Sequence, residues 1–197
     1  MKQLVFLLEE LSAKELLEHL LPRLFPGLQF RCIAHEGKND LRRSIPRKLR
    51  AWPHPEHRFV VLIDQDRADC RALKEELRNL CRQAGRPDTI IRIACTELEA
   101  WYFGDTAALA CAFHDERLQQ LGQRRKYRDT DRIDKPGNKL EKLIPEFRKI
   151  DAARRMGQQL TQETNRSHSF RVFIHAISQI AAEFGAISDH ADDCSAH

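Results

Sequence analysis

The chain begins as an alternation of short apolar runs and longer amphipathic segments. Four apolar runs predict β-strands at Leu4–Leu8, Leu28–Ala34, Phe59–Ile63 and Thr89–Ala94. The segments between them carry apolar residues at helical spacing and predict helices. Strands that alternate with helices in this way form parallel sheets. The pattern therefore predicts an α/β protein with a four-stranded, mainly parallel sheet flanked by helices.

After Asp105 the character of the chain changes, because no further apolar run suits a strand. Short helices and one last amphipathic helix are predicted instead, so the second half is expected to be helical. The predicted division is an α/β core over residues 1–105, a helical extension packed on that core over residues 106–186, and a frayed tail over residues 187–197.

Carboxylates follow three of the four predicted strands. Asp64 and Asp66 come directly after the third strand, and side chains two residues apart in an extended chain point the same way. Helix capping alone explains acids after one strand. Acids after three strands favour a metal site at the carboxyl edge of the sheet, because hard divalent ions take oxygen ligands. The acids are Glu9, Glu10, Asp64, Asp66, Glu97 and Glu99.

Composition fits a globular protein with a mild positive charge. The chain has 197 residues, 42% of them hydrophobic and 31% charged, with a formal net charge of +4. This charge permits a nucleic-acid partner without requiring one. The six cysteines form no CxxC pair and are interpreted as reduced core thiols. No apolar run is long enough for a signal peptide or a membrane helix, so we expect a cytoplasmic protein.

A basic run in the helical half is the main candidate for binding a phosphate backbone. It surrounds Tyr127, and cations beside an aromatic residue suit a nucleic-acid strand. A solvated loop neutralised by neighbouring aspartates explains the run equally well. Arg166 and His168 are a second candidate for a phosphate or a carboxylate, with a structural ion pair as the alternative. The basic run consists of Arg124, Arg125, Lys126 and Arg128.

Five segments carry a resemblance to a known family. They are residues 9–12, 36–41, 64–67, 97–105 and 165–170, and the Glu-Leu-Glu-Ala-Trp and Asn-Arg-Ser-x-Ser-Phe motifs among them are the most specific. The chain resembles the bacterial family catalogued as domain of unknown function 4276. More broadly, it resembles the Toprim domain of topoisomerases, primases, small maturation ribonucleases and overcoming-lysogenization-defect (OLD) nucleases.

The resemblance implies a Toprim-like nuclease fold, often found beside an ATPase in anti-phage defence loci. By position, Glu9 matches the Toprim glutamate, and Asp64 and Asp66 match its metal-binding aspartates. Glu10 stands where Toprim domains usually have glycine. The motif Glu36-Gly37-Lys38 looks like the Toprim glutamate motif but follows the second strand, so Glu9 is the preferred match.

Residues and resemblance together predict a nuclease that depends on Mg²⁺ or Mn²⁺ and acts on DNA or RNA. The expected metal ligands are Asp64 and Asp66 with Glu9 or Glu10. Glu97 or Glu99 completes a second metal site or acts as the general base. Lys38, at a turn on the same edge, is expected to neutralise the scissile phosphate.

Two other functions are compatible with the sequence. The first is a non-catalytic subunit whose helical half docks on an ATPase or another effector. The second is a toxin that cleaves one RNA species only when its partner releases it. In the loop before the third strand, His54 and His57 offer a possible metal pair, for which a solvated loop is the simpler interpretation.

Overall fold

The computed structural model describes residues 2–186. Four strands form one sheet in the order β2-β1-β3-β4, and every neighbouring pair is parallel. This confirms the prediction of a four-stranded parallel sheet. The strands are β1 (Leu4–Leu8), β2 (Phe30–Ala34), β3 (Arg58–Asp64) and β4 (Ile90–Ala94).

Helices connect the strands and make up most of the second half. Residues 105–186 contain helices and short 3₁₀ turns and no strand, as the sequence predicts. The 3₁₀ turns cover residues 116–123, 125–127 and 130–132. The helices are α1 (Leu11–Leu24), α2 (Lys38–Ala51), α3 (Cys70–Gln83), α4 (Ala100–Gly104), α5 (Thr106–Phe113), α6 (Pro136–Leu143), α7 (Lys149–Gln159) and α8 (His168–Glu183).

The sheet lies between two helical layers, because side chains alternate across its two faces. Val5 and Leu7 of β1 face α2 and α3, whereas Leu4, Phe6 and Leu8 face the opposite layer. That second layer contains α1, α4, α5, α7 and α8. All five residues of β1 are fully buried, which explains why a central strand reads as an uninterrupted apolar run.

The starts of α1 and α3 determine which polar side chains remain available to the site. Ser12 does not cap α1, because the helix begins at Leu11 and the Ser12 hydroxyl donates to Glu10 Oε1 at 2.6 Å. Asp69, rather than Asp64, caps α3 by accepting a hydrogen bond from the Ala72 amide. The Asp64 carboxylate is therefore not occupied as a helix cap.

The helical half packs closely against the α/β half. Helices α1 and α7 lie side by side, and Arg23 donates hydrogen bonds to the carbonyls of Gly157 and Leu160. The division at residue 105 stays a prediction, and the predicted tail over residues 187–197 lies outside the described residues. Within residues 2–186, no helix is long and apolar enough to cross a membrane.

Candidate active site

Three neighbouring strands deliver the candidate carboxylates to one edge of the sheet. Strand β1 ends just before Glu9, β3 ends at Asp64, and β4 ends at Ala94, before the turn that carries Glu97 and Glu99. Because β1, β3 and β4 are adjacent and parallel, their carboxyl ends meet.

Glu9 and Asp64 are joined directly across two of these strand ends. The Asp64 amide donates a hydrogen bond to Glu9 Oε2 at 3.0 Å. Burial raises the pKa of Glu9, although this hydrogen bond and the charge of Lys38 oppose the shift. The negative charges of Asp66 and Glu10 also raise the pKa of Glu9, so Glu9 is close enough to both of these acids to feel their charge.

The inner part of the carboxylate edge, here called the inner cluster, combines the carboxylates of Glu9, Glu10, Asp64 and Glu99 with the Lys149 ammonium group of the helical half. Lys149, at the start of α7, places Nζ 2.6 Å from Glu10 Oε1 and 3.5 Å from Glu99 Oε1. Burial alone lowers the pKa of Lys149, but the charges of Glu99 and Glu10 more than offset this and raise it. Sequence reasoning missed Lys149, because nothing in its local pattern separates it from a solvated lysine on a helix.

Glu99 and Asp64 are the most electrostatically perturbed acids at this edge. Burial raises the pKa of Glu99 to about 7, and neither of its carboxylate oxygens has a hydrogen-bond partner. Burial also raises the pKa of Asp64 well above its usual value, and the charges of Glu99, Glu9 and Glu10 add to the shift. The hydroxyl of Tyr102 is buried nearby without a hydrogen-bond partner, and burial likewise raises its pKa.

The outer part consists of Asp66 and Lys38. Lys38 Nζ lies 2.5 Å from Asp66 Oδ2, and the Asp66 side chain is 53% exposed. Strand β3 ends at Asp64, and Asp66 takes a left-handed conformation with φ of 51°. The alternation of side chains along an extended strand therefore stops before Asp66. The argument that Asp64 and Asp66 point the same way does not apply to this backbone.

Glu97 belongs to this outer part rather than to the inner cluster. Its Oε2 atom accepts a hydrogen bond from the Gly137 amide at 2.9 Å. Glu97 and Asp66 line a cavity of about 290 Å³ together with Arg67 and Lys135. The structure thus separates two acids that the sequence treats as equivalent, because Glu99 turns into the core and Glu97 faces the cavity.

The inner carboxylates have a donor set that suits a divalent cation. Glu9, Glu10, Asp64 and Glu99 supply only oxygen atoms, which hard cations prefer. Among residues 2–186, Lys149 forms the ion pairs with Glu10 and Glu99 of this set, and both oxygens of Glu99 lack hydrogen-bond partners. Buried carboxylates that close together raise each other's energy unless a cation or a proton compensates them.

The basic run of the helical half is exposed, but its aromatic residue is not. Arg124, Arg125, Lys126 and Arg128 are exposed, whereas Tyr127 is buried and stacks on Phe103 with ring centroids 4.8 Å apart. Tyr127 is therefore not free to stack on a base.

The aspartates near this run are engaged elsewhere. Asp129 pairs with Arg132 at 3.3 Å, and Asp131 accepts hydrogen bonds from Ser167 and Ser169. The Arg166 guanidinium donates to two backbone carbonyls, those of Gly122 and Phe103. His168 is exposed as the first residue of α8.

The two most specific sequence motifs pack against each other. The Asn165 amide group donates to the Trp101 carbonyl at 3.0 Å, and Trp101 Nε1 donates to Ser169 Oγ at 2.9 Å. The Arg166 amide donates to the Gly104 carbonyl at 3.0 Å. These contacts fasten α4 to the start of α8 and thereby fix the turn that carries Glu99.

The histidine loop lies at the opposite edge of the sheet, just before β3. His54, Glu56 and His57 bring ligand atoms within 4.8 Å of one another. However, Trp52 Nε1 donates to His57 Nδ1 at 3.0 Å, which places the proton of a neutral His57 on Nε2. This arrangement argues against His57 as a metal ligand through Nε2.

Comparisons with known proteins agree with this architecture. The family described as "Domain of unknown function (DUF4276)" matches residues 8–178, so the chain belongs to this family. The solved C-terminal region of the Burkholderia pseudomallei OLD protein is similar in fold, with a TM-score of 0.55 and 17% identity over 91% of this chain and 98% of that one. No curated protein matches the chain. The resemblance seen in the sequence is thus confirmed for both the family and the fold.

Proposed function

We propose that this member of the DUF4276 family is a metal-dependent nuclease that hydrolyses phosphodiester bonds in DNA or RNA. The observation that carries the proposal is the inner carboxylate cluster at the carboxyl edge of the sheet. Its four acids are Glu9, Glu10, Asp64 and Glu99, and both Glu99 oxygens are buried without hydrogen-bond partners. The shared fold with the OLD protein region supports the same interpretation.

The metal in this proposal is Mg²⁺ or Mn²⁺, held by Glu9, Glu10 and Asp64. A divalent ion there supplies positive charge that stabilises the phosphodiester as negative charge develops on it. Asp66 joins this ligand set only by giving up its ion pair with Lys38. The sequence-based assignment of Asp66 as a metal ligand is therefore tested separately, by substituting Asp66 alone.

The chain's own residues have distinct roles in the proposed reaction. Glu99 accepts the proton of the attacking water, because it is a buried carboxylate beside the metal ligands whose two oxygens have no hydrogen-bond partner. Lys149 holds Glu10 and Glu99 in place, and its ammonium adds positive charge for the phosphate. Lys38, on the outer side of Glu9, neutralises the scissile phosphate.

The partners in this proposal are nucleic acid and an ATPase. The exposed cations Arg124, Arg125, Lys126 and Arg128 bind backbone that flanks the cleaved bond. The ATPase and the role in anti-phage defence come from the family resemblance. A cytoplasmic location suits both partners and the free cysteines that the described residues contain, at positions 32, 70, 81, 95 and 111.

A cleavage assay tests the nuclease proposal. Supercoiled plasmid, single-stranded DNA and total tRNA are incubated with the protein in Mg²⁺, Mn²⁺ or EDTA. We expect metal-dependent cleavage that Glu9→Gln and Asp64→Asn abolish, because each removes one negative ligand with little change in volume. The matched control is Glu36→Gln, an exposed acid after β2 that lies outside the cluster. Cleavage retained by Asp64→Asn, or lost equally in the Glu36→Gln control, contradicts the assignment.

A non-catalytic subunit is the second candidate, and one observation favours it. The Lys149 ammonium already lies 2.6 Å from Glu10 and 3.5 Å from Glu99, so it can serve as a permanent counter-ion in place of a metal. Titration calorimetry with Mg²⁺ and Mn²⁺ separates the two functions. Binding that Asp64→Asn abolishes supports the nuclease, whereas no binding of either ion to the wild type supports the subunit. The titration does not separate the nuclease from a partner-gated toxin, because the toxin also requires the metal site.

A further inference from the structure

Basic residues form a stripe along one side of α3. Arg71, Lys74, Arg78 and Arg82 are spaced by three or four residues, so they lie on one face of the helix. The eleven residue-to-residue steps from Arg71 to Arg82 correspond to about 16 Å at a rise of about 1.5 Å each. Phosphates of one strand rise about 3.4 Å each along a duplex, so the stripe has the length of roughly five phosphates.

The stripe forms one wall of a groove, and the edge strand β4 forms the other. Lys74, Arg78 and Arg82 line a cavity of about 240 Å³ together with Arg92 of β4. Arg92 Nη1 donates to the Ile91 carbonyl at 3.0 Å, and its buried Nε has no hydrogen-bond partner. Because β4 is an edge strand, a ligand in this groove meets no further strand of the sheet.

Too few acids face the groove to neutralise these cations. Glu75 pairs with Arg82 at 2.9 Å and with Arg78 at 3.7 Å. Among residues 2–186, Arg71, Lys74 and Arg92 have no carboxylate within ion-pair distance.

The cations that line the groove repel one another. Burial lowers the pKa of Lys74, and the charges of Arg78 and Arg92 lower it further. Burial and Arg78 also lower the pKa of Arg92. A concave surface of one sign concentrates its field and attracts a ligand of the opposite charge.

The groove also has a connection to the carboxylate edge. Arg67, in the turn that precedes α3, lines the cavity that contains Asp66 and Glu97. Positive side chains therefore follow one another from that cavity along α3 to the groove beside β4. A strand bound along this path has one end at the candidate active site.

We propose that the groove lined by Lys74, Arg78, Arg82 and Arg92, together with Arg71 on the same face of α3, binds the phosphate backbone of the nucleic acid that the carboxylate cluster cleaves. The inference rests on the proposed nuclease function and extends it from the scissile phosphate to a flanking segment of backbone. The groove cations bind phosphates, which carry no sequence information, so this contact positions the substrate without selecting its sequence.

Binding without cleavage tests the groove. Fluorescent single-stranded and duplex oligonucleotides of 20 nucleotides are titrated in EDTA by anisotropy at several salt concentrations. The variant is Arg71→Gln/Lys74→Gln/Arg78→Gln, since glutamine is a good helix former. The control is Arg31→Gln/Lys142→Gln/Arg171→Gln, which removes the same charge from exposed positions on β2, α6 and α8.

We expect the groove variant to bind at least about tenfold more weakly. Because it removes three cations, the magnitude of its salt slope should fall by about 2 for the single strand and by about 3 for the duplex. The control should retain wild-type affinity within about twofold. Unchanged binding by the groove variant, or an equal loss in both variants, overturns the proposal. Because the assay is run in EDTA, it is independent of cleavage. A selective loss of binding with no cleavage under any condition keeps the groove and removes the nuclease.

Discussion

Glu99 is expected to make the stability of the metal-free protein depend on pH. Its side chain is 1% exposed, and burial raises its pKa from 4.5 to about 7. Between these two values the folded state binds more protons than the unfolded chain, so the free energy of unfolding falls as the pH rises. A shift of this size corresponds to about 3 kcal/mol, fully present below pH 4.5 and lost above pH 7.

Urea denaturation in EDTA at pH 5 and pH 8 measures this contribution. Glu99→Gln removes the titrating group, so its free energy of unfolding relative to the wild type should rise by about 2.5 kcal/mol between pH 5 and pH 8. The substitution should also lower the pKa of Asp64, because the Glu99 charge helps to raise it, and this further reduces the pH dependence of the variant. Glu97→Gln is the control, since it changes a nearby acid that is only half-buried and bonded to Gly137. Equal pH slopes for the wild type and Glu99→Gln refute the reasoning.

Three further variants probe the contacts around the site. Lys149→Gln should lower the free energy of unfolding in EDTA by about 1 kcal/mol, because its 43% exposure screens the pair, and added Mg²⁺ should recover the loss; no loss in EDTA contradicts this. Gly104→Ala should cost about 2–3 kcal/mol in thermal unfolding, because its Cβ would overlap Asn165 Oδ1, and a wild-type melting temperature argues against the packing. Asp131→Asn should cost about 1–2 kcal/mol by weakening the serine hydrogen bonds, measured in the same way, and full stability is the contrary result.

The sheet was predictable from the sequence because its signal is local. A buried parallel strand must be apolar on both faces, and β1 and β3 satisfy this in uninterrupted runs. The carboxyl ends of adjacent parallel strands meet, so placing Glu9, Asp64 and Glu99 at one edge followed from the order of elements alone. Helix starts were less predictable. Ser12 and Asp69 are both good cap residues, yet Asp69 caps α3 whereas Ser12 lies inside α1.

The internal arrangement of the site was not predictable from the pattern. Glu97 and Glu99 are two residues apart on one turn, yet Glu99 is buried and Glu97 bonds to Gly137. Asp66 has a left-handed backbone conformation after the end of β3, and the spacing of two residues between Asp64 and Asp66 does not predict this conformation. Lys149 lies 50 residues beyond Glu99 in sequence and reaches the cluster only because α7 packs beside α1.

The helical half completes the candidate site rather than merely supporting it. Lys149 of α7 contacts Glu10 and Glu99, and Gly137 of α6 binds Glu97, so both parts of the carboxylate edge depend on residues after position 105. Trp101 is fully buried and bonded to Ser169 of α8. Without these contacts the turn bearing Glu99 has no fixed position, and Glu10 and Glu99 lose their counter-ion. The residues that hold the acids together therefore come from the half of the chain in which the sequence alone placed no member of the carboxylate site.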